Sequence, residues 1–531
     1  MTDQSPEQLT VNTRAVPLPK GGMQLTGPEV TVDLPSPPLR YLVSGWQSWS
    51  LTAWVDAGQS LPPMRPSLMH PLQTDPLHVK DLRLNGSWYG AVELENGKIV
   101  FLGALGLDAH VWLEENRLIG RTGTKDGEWF LGAGTEDSLL QRYAELLGER
   151  FGRGRVQKPL RVWCSWYSLY NAIDETRLAR VLADLGTLPF EVFQVDDGWQ
   201  AAIGDWEANA KFPSGMQALA DRIRSSGRTA GLWLAPLLVV PSSSIFREHR
   251  DWLLHGEAGN LVPAGFNWGE PLYALDTTHP DALAWLAELM RRVRGWGYEY
   301  AKLDFLYAGA LPGKRHTDMP REAAYRQGLS VIREALGEAY FLTCGAPVLP
   351  SLGLCDGLRI GPDVAEAWAS RRDDELLNNF TTPGARNAVR TVLHRLWLGP
   401  LVHTDPDVVY FRSRRNRLSA EERDLLQSLA LVAGFKATSD VPAWMEPAER
   451  KALENYLQAD PRIEKSGRYR YTIDGQQVDF AGWIDLPAAP GVLTRLLGSV
   501  AGWLGDRPWI HRLLWLHGQR LLKKKLKHNP V

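Results

Sequence analysis

Cysteine is scarce in this chain: Cys164, Cys344 and Cys355 are the only three among 531 residues. An odd, sparse set of this kind does not describe a disulfide framework. Long apolar runs are missing too. The longest candidate, Leu496 to Leu516, is broken by Asp506, Arg507 and Pro508, well short of the ~20 apolar residues that a membrane helix needs. Neither sign of charge dominates, since 59 Lys and Arg against 61 Asp and Glu leave a net charge of −2. That balance argues against a nucleic-acid partner, which demands clustered cations. The stretch Leu521-Leu522-Lys523-Lys524-Lys525-Leu526-Lys527 is basic and reads first as a solvated helix end, with an anionic partner as the alternative. Zinc-type Cys and His spacing and phosphate-binding Gly-rich loops are absent, so no metal and no cofactor are expected. Met1 to Glu7 is polar, without a charged-then-apolar leader pattern, and the expectation is a cytoplasmic protein.

What the chain does have is tryptophan, 22 residues of it. Indole faces match the C–H faces of sugar rings while the N–H remains free to bond hydroxyls. Hydrophobic residues at 44% and charged residues at 23% are ordinary for a folded protein, and the length asks for more than one core. Residues 1–155 read as mostly β, with short apolar stretches between Gly, Asn and Pro turns. Gly152 to Pro159 reads as a boundary. From there to about 441 the pattern becomes strand–helix alternation. Strands are predicted at 160–167, 190–196, 229–235, 299–305, 339–344, 357–361, 400–404 and 434–439, with helices between them such as Asp174 to Gly186 and Asp281 to Arg294. Eight such units over roughly 280 residues suit a (β/α)8 TIM barrel. Residues 442–531 read as a small β region, with a hairpin across Asp474-Gly475, followed by a basic helical tail. The expected fold class is therefore multidomain, α/β plus β: an N-terminal β-sandwich, a central barrel and a small C-terminal β region.

A parallel barrel carries its active site at the C-terminal ends of its strands, and here those ends are rich in acids, bases and indoles. Lys302-Leu303-Asp304 places an ammonium and a carboxylate two residues apart, on one face of a strand. Such a pair suits a nucleophile kept ionised, and equally a structural ion pair. Asp363, just beyond Arg359-Ile360-Gly361-Pro362, is placed to reach over a substrate as a general acid. Asp196-Asp197-Gly198-Trp199 adds two acids and an indole platform. Neighbours on a strand point to opposite faces, so only one of these acids is expected to face inward, and the pair makes a poor metal chelate. Whether Asp276, Asp405 and Asp407 join the site stays open at this point.

The motifs Asp196-Asp197-Gly198-Trp199, Gly231-Leu232-Trp233-Leu234-Ala235-Pro236, Lys302-Leu303-Asp304, Cys344-Gly345 and Arg359-Ile360-Gly361-Pro362-Asp363, in this order over about 300 residues, resemble the melibiase-type α-galactosidases of glycoside hydrolase family 36, in clan D. The resemblance implies a retaining mechanism, with Asp304 as nucleophile, Asp363 as acid and base, and carboxyls ~5–5.5 Å apart. It implies that Asp196 and Asp197 hold the 4- and 6-hydroxyls of galactose. Lys302 and Arg359 would bond ring hydroxyls, with Cys344 beside the 2-hydroxyl. Trp166, Trp199 and Trp233 would wall the pocket. Gly45-Trp46-Gln47-Ser48-Trp49 looks like the N-terminal loop that reaches the site in this family, which adds Trp46 and Trp49. The substrate implied is an oligosaccharide ending in α-linked galactose, and family members often form dimers or tetramers. Two segments depart from the family pattern: Cys344-Gly345-Ala346-Pro347 lacks the common Arg-bearing form, and Asp304-Phe305-Leu306 replaces a frequent Asp-x-Asn. The alternatives are accordingly an α-galactosyl transferase of the raffinose-synthase kind, a hydrolase of another α-sugar such as N-acetylgalactosamine, or a catalytically silent sugar-binding protein.

Overall fold

The structure is a computed structural model describing residues 9–61, 64–154, 160–370, 376–377, 379–486 and 491–527, without the side chains of 523–527. The polar start at 1–7, the end of the boundary at Lys158-Pro159 and the lysine side chains of the tail lie outside the described residues.

The N-terminal region forms two antiparallel sheets, of five and seven strands. Strands such as Ile99–Ala104 are buried along their whole length, because one face meets the opposite sheet while the other is covered by neighbouring elements. The helix Glu136–Phe151, whose first turn is capped by the Thr135 hydroxyl, leads out of this region.

Next come nine short parallel strands: β1 (Leu160–Cys164), β2 (Val192–Val195), β3 (Thr229–Leu234), β4 (Tyr300–Leu303), β5 (Tyr340–Thr343), β6 (Gly357–Arg359), β7 (His403–Asp405), β8 (Val408–Val409) and β9 (Phe435–Thr438). They pair in the order β7-β6-β5-β4-β3-β2-β1-β9-β8. The two edges of this sheet are consecutive in the chain, with only Pro406 and Asp407 between them, so the sheet curls round until its ends meet. Proline cannot donate to a ladder and Asp407 has φ 85°, which is why the seventh barrel strand is broken in two. The helices between the strands carry the expected punctuation. Asp174 caps Glu175–Leu185 by accepting from the Arg177 amide, and Gly186 ends it.

The C-terminal region contains a three-stranded antiparallel sheet, Ile463–Gly467, Arg470–Ile473 and Gln476–Asp479. The predicted hairpin turns at Asp474-Gly475, both at positive φ. Its second arm ends at Asp479, and Ala481–Trp483 winds into a 3-10 turn. Helices Val492–Gly505 and Pro508–Lys527 follow. No helix among the described residues is long and apolar enough to cross a membrane.

The N-terminal region is joined to the barrel through residues 45–50. Gln47 bridges to Pro347, the Ser48 amide donates to the Ala346 carbonyl at 3.0 Å, and the Val348 amide donates to the Trp46 carbonyl at 3.0 Å. Arg395, fully buried, gathers the segment by donating to the carbonyls of Gly45, Gln47, Ser48 and Ser50 at 2.6–3.1 Å. A guanidinium with five donors in a fixed fork can satisfy several carbonyls that helix and sheet leave unpaired. Gly345, at φ 53°, lets the segment close, because a Cβ there would stand 2.8 Å from the Trp49 ring.

Candidate active site

At the C-terminal ends of the strands lies a cavity of about 1070 Å³. Its floor holds Asp196, Asp197, Lys302, Asp304 and Asp363, with Trp233 and Trp166 among its walls and Trp49 entering from the N-terminal loop.

Asp304 follows directly on β4. Both its oxygens are engaged: one accepts from the Trp233 indole at 2.9 Å and the other from the Phe305 amide at 2.8 Å, which fixes the carboxylate plane. Phe305 sits in the left-handed region at φ 55°. A bulky residue held there is strained, and such strain persists where surrounding structure enforces it. Asp363 stands on the loop after β6, half-buried, and accepts from Arg359 at 3.2 Å. Loss of water around it pushes its carboxyl above the usual carboxylate range, against the pull of the Arg359 and Lys302 cations, and the Asp304 carboxylate adds to the rise.

Lys302 pairs with Asp196 at 3.0 Å, both almost completely buried, so the ammonium's short contact is to Asp196 rather than to Asp304 two residues along the chain. Burial alone would depress the amine; the Asp196 and Asp304 carboxylates outweigh it and hold the amine well above its usual range. Asp196 also accepts from Gln194 at 2.6 Å. Asp197 accepts from the Trp268 indole at 2.8 Å and from Gln200, and burial pushes it up to about 6. Both acids of this pair line the cavity, contrary to the expectation that one would turn away. The reason is that β2 ends at Val195, so the strand alternation no longer applies to Asp196 and Asp197.

Arg359 lies beneath the floor rather than on it. It reaches Asp405 at 3.0 Å, Asp407 at 2.8 Å and Asp363 at 3.2 Å. Asp405 and Asp407 are therefore buried supports of the guanidinium, and Asp407 is pushed up to about 7 by burial, with Arg359 opposing the rise. Asp276 accepts from Thr278 and from the His316 amide, outside the cavity.

Three expected site residues are placed elsewhere. Trp199 is fully buried, donates to the Trp233 carbonyl at 2.9 Å and packs on Trp206 and Trp296; it supports Trp233 from behind and is no platform. Trp46 turns away to donate to Glu322 at 3.2 Å, under Arg321. Cys344 is fully buried, and burial raises its thiol well above the usual range. Neither Trp46 nor Cys344 lines the cavity.

In place of Trp199 the indole over Asp197 is Trp268, at the two-residue turn between strands Pro263–Asn267 and Glu270–Ala274. Trp268 and Gly269 both have positive φ, 52° and 81°. Glycine or asparagine is the usual occupant of such a turn, so a tryptophan between two short strand patterns was the available signal. The outer wall has a contribution with no local signal at all: Trp515, Gln519 and Leu522 from the helix Pro508–Lys527 face the cavity.

Among the described residues one group, Asp75, His78 and His110, brings three potential metal ligands within 4.8 Å. It lies away from this cavity. Both Asp75 oxygens already accept from Arg321, at 2.8 and 2.6 Å, and that cation opposes a second one.

The melibiase family profile matches residues 131–340. The α-galactosidase TtGalA of Thermus thermophilus, solved with p-nitrophenyl α-D-galactopyranoside, is 47% identical; the match covers 90% of this chain and 98% of that one, with a TM-score of 0.86. This chain belongs to the melibiase family, glycoside hydrolase family 36. More distant relatives match in part. The α-galactosidase AgaA of Geobacillus stearothermophilus is 30% identical over 218 residues, 37% of this chain and 28% of its own. An Escherichia coli α-galactosidase is 26% identical over 289 residues, 50% of this chain and 38% of its own. The chain thus spans less than two fifths of these two curated relatives. The AgaA crystal structure, 18% identical with a TM-score of 0.56 over 85% of this chain and 65% of that one, shares the fold.

Proposed function

We propose that this melibiase-family protein is a retaining α-galactosidase that removes terminal α-linked galactose from oligosaccharides in the cytoplasm. The observation that carries the reading is that Asp304 and Asp363 border one cavity floored by Asp196, Asp197 and Lys302. Asp304 attacks the anomeric carbon and the bond to the leaving oxygen breaks, giving a covalent glycosyl-enzyme. Asp363, whose carboxyl the loss of water around it pushes above the usual carboxylate range, protonates that oxygen. It then takes a proton from water, whose oxygen displaces Asp304 from the same carbon. Asp196 and Asp197 accept bonds from galactose hydroxyls, and Trp166, Trp233 and Trp268 close the sugar's faces. Arg359 acts through Asp363 rather than on the sugar. Three buried free cysteines agree with a reducing compartment.

The test is hydrolysis of p-nitrophenyl α-D-galactoside beside the α-glucoside and the α-N-acetylgalactosaminide, with wild type and Asp304→Ala. Galactoside cleavage that the variant loses, and that azide restores with β-galactosyl azide as product, supports sugar and nucleophile together. Activity confined to another sugar keeps the mechanism and discards galactose.

A further inference from the structure

An ordinary surface helix turns its apolar stripe inward. The helix Val492–Gly505 does the reverse. Its glycines face the protein: Gly498 and Gly502 are buried, and a Cβ on Gly498 would stand 2.1 Å from the Leu376 carbonyl. Its apolar residues at i, i+3, i+4 and i+7 spacing, Leu493, Leu496, Leu497, Val500, Trp503 and Leu504, are all exposed, Leu493 by 70% and Leu496 by 62%. The following helix adds Trp509, Leu513 and Leu516, exposed as well. Twelve of the sixteen exposed large apolar side chains among the described residues fall between 492 and 521. Water disfavours so contiguous a patch, which marks an interaction surface.

Charge says what covers it. Residues 491–531 hold eight Lys and Arg and one acid, a net of +7 in a chain whose net is −2, which leaves −9 for the rest. The one acid, Asp506, accepts from the Ser67 hydroxyl at 3.0 Å and the Leu68 amide at 2.9 Å, so it ties the helix pair to the 3-10 turn Ser67–Leu72 of the N-terminal region. Two tryptophans at 503 and 509 flank the bend between the helices, and Arg507 stacks on Trp503. Leucines with interfacial tryptophans and a cationic excess are the chemistry of a helix lying in the headgroup layer of an anionic bilayer. Symmetric pairing with a second copy would instead set +7 against +7.

We infer that the helix pair 492–527 is a membrane-surface docking element that seats the protein on anionic lipid bilayers by its leucine stripe and basic side chains. Its inner face, through Trp515, Gln519 and Leu522, belongs to the cavity wall, so docking holds the cavity mouth beside the lipid surface. The inference does not depend on which sugar the site takes.

The experiment is flotation of the full chain with vesicles of phosphatidylcholine alone or mixed with phosphatidylglycerol, at low and high salt. Light scattering gives the mass in solution, and thermal melts serve as the fold check. Wild type is expected to float with the anionic vesicles only and to be released by salt. Leu496→Glu with Val500→Glu, and separately Arg512→Glu with Arg520→Glu, are expected to lower partitioning at least about tenfold with unchanged melts. Failure to float with anionic vesicles at low salt overturns the inference, as does equal, salt-insensitive binding to both vesicle types. A dimer that Leu496→Glu with Val500→Glu splits into monomers, with no flotation, overturns it in favour of a second copy.

Discussion

At the floor of the cavity and just beneath it, charged side chains rise from the ends of short parallel strands and each has a close partner: Lys302 on Asp196, Arg359 on Asp363, Asp405 and Asp407, and the Trp233 indole on Asp304. The outer wall is built differently. Trp49 arrives from an N-terminal loop, Trp268 from a hairpin turn after β3, and Trp515 from a helix about 250 residues further on. The contrast separates two tasks. Floor groups must hold charge at atomic precision, which strand ends and buried ion pairs provide. Wall groups supply apolar surface, which any segment that reaches the mouth can provide. The floor should therefore set the rate, and the wall should set which substrates are held.

The sharpest way to break that contrast is at the two carboxylates. Asp304→Ala should lower kcat by on the order of 10⁴-fold or more. Asp363→Ala should lower kcat/KM for raffinose-type substrates by about 10²–10⁴-fold, and by much less for p-nitrophenyl galactoside, whose leaving group departs without a proton. Equal losses on both substrates would remove Asp363 from the acid role. Next in size is Lys302→Met, which leaves Asp196 buried without its cation and should cost about 3–5 kcal/mol of stability, read as a fall in denaturation midpoint.

Asp197 joins floor to wall, because its acid is shared with Trp268. Its value of about 6 means that it is ionised above that pH and protonated below. As pH falls through about 6 it loses its charge and part of its capacity to accept from sugar hydroxyls, and KM should rise. Asp197→Asn should flatten that limb of the KM profile. Trp268→Ala should raise KM by about tenfold with a smaller change in kcat. The smallest effect belongs to Trp515→Ala, expected to change KM about two- to threefold for a trisaccharide and less for a small galactoside. A large loss of kcat there would place the helix in the chemistry and erase the distinction between floor and wall.

The barrel was legible because its strands repeat one pattern, an apolar run ending in a polar residue at a turn. All eight predicted segments contain strand residues, although the seventh, 400–404, holds only His403 and Thr404 of its strand, and a second short strand follows Pro406 and Asp407. The acids of the floor were legible for the same reason: the C-terminal end of a barrel strand is a fixed address. Trp199 shows where that reasoning stops. It follows its strand as closely as the acids do, yet it turns behind Trp233, and the indole over Asp197 comes from Trp268, some 70 residues later. Arg395, which holds the N-terminal loop by its carbonyls, carried no motif at all.

Local sequence determined which residues form the strands and which charges stand at their ends, because backbone geometry and hydrophobic alternation act over a few residues. Only the tertiary structure decided which cation faces which acid, which indole walls the cavity and which helix covers its mouth. Those outcomes depend on packing between segments hundreds of residues apart, and no periodicity within any one of them encodes the meeting.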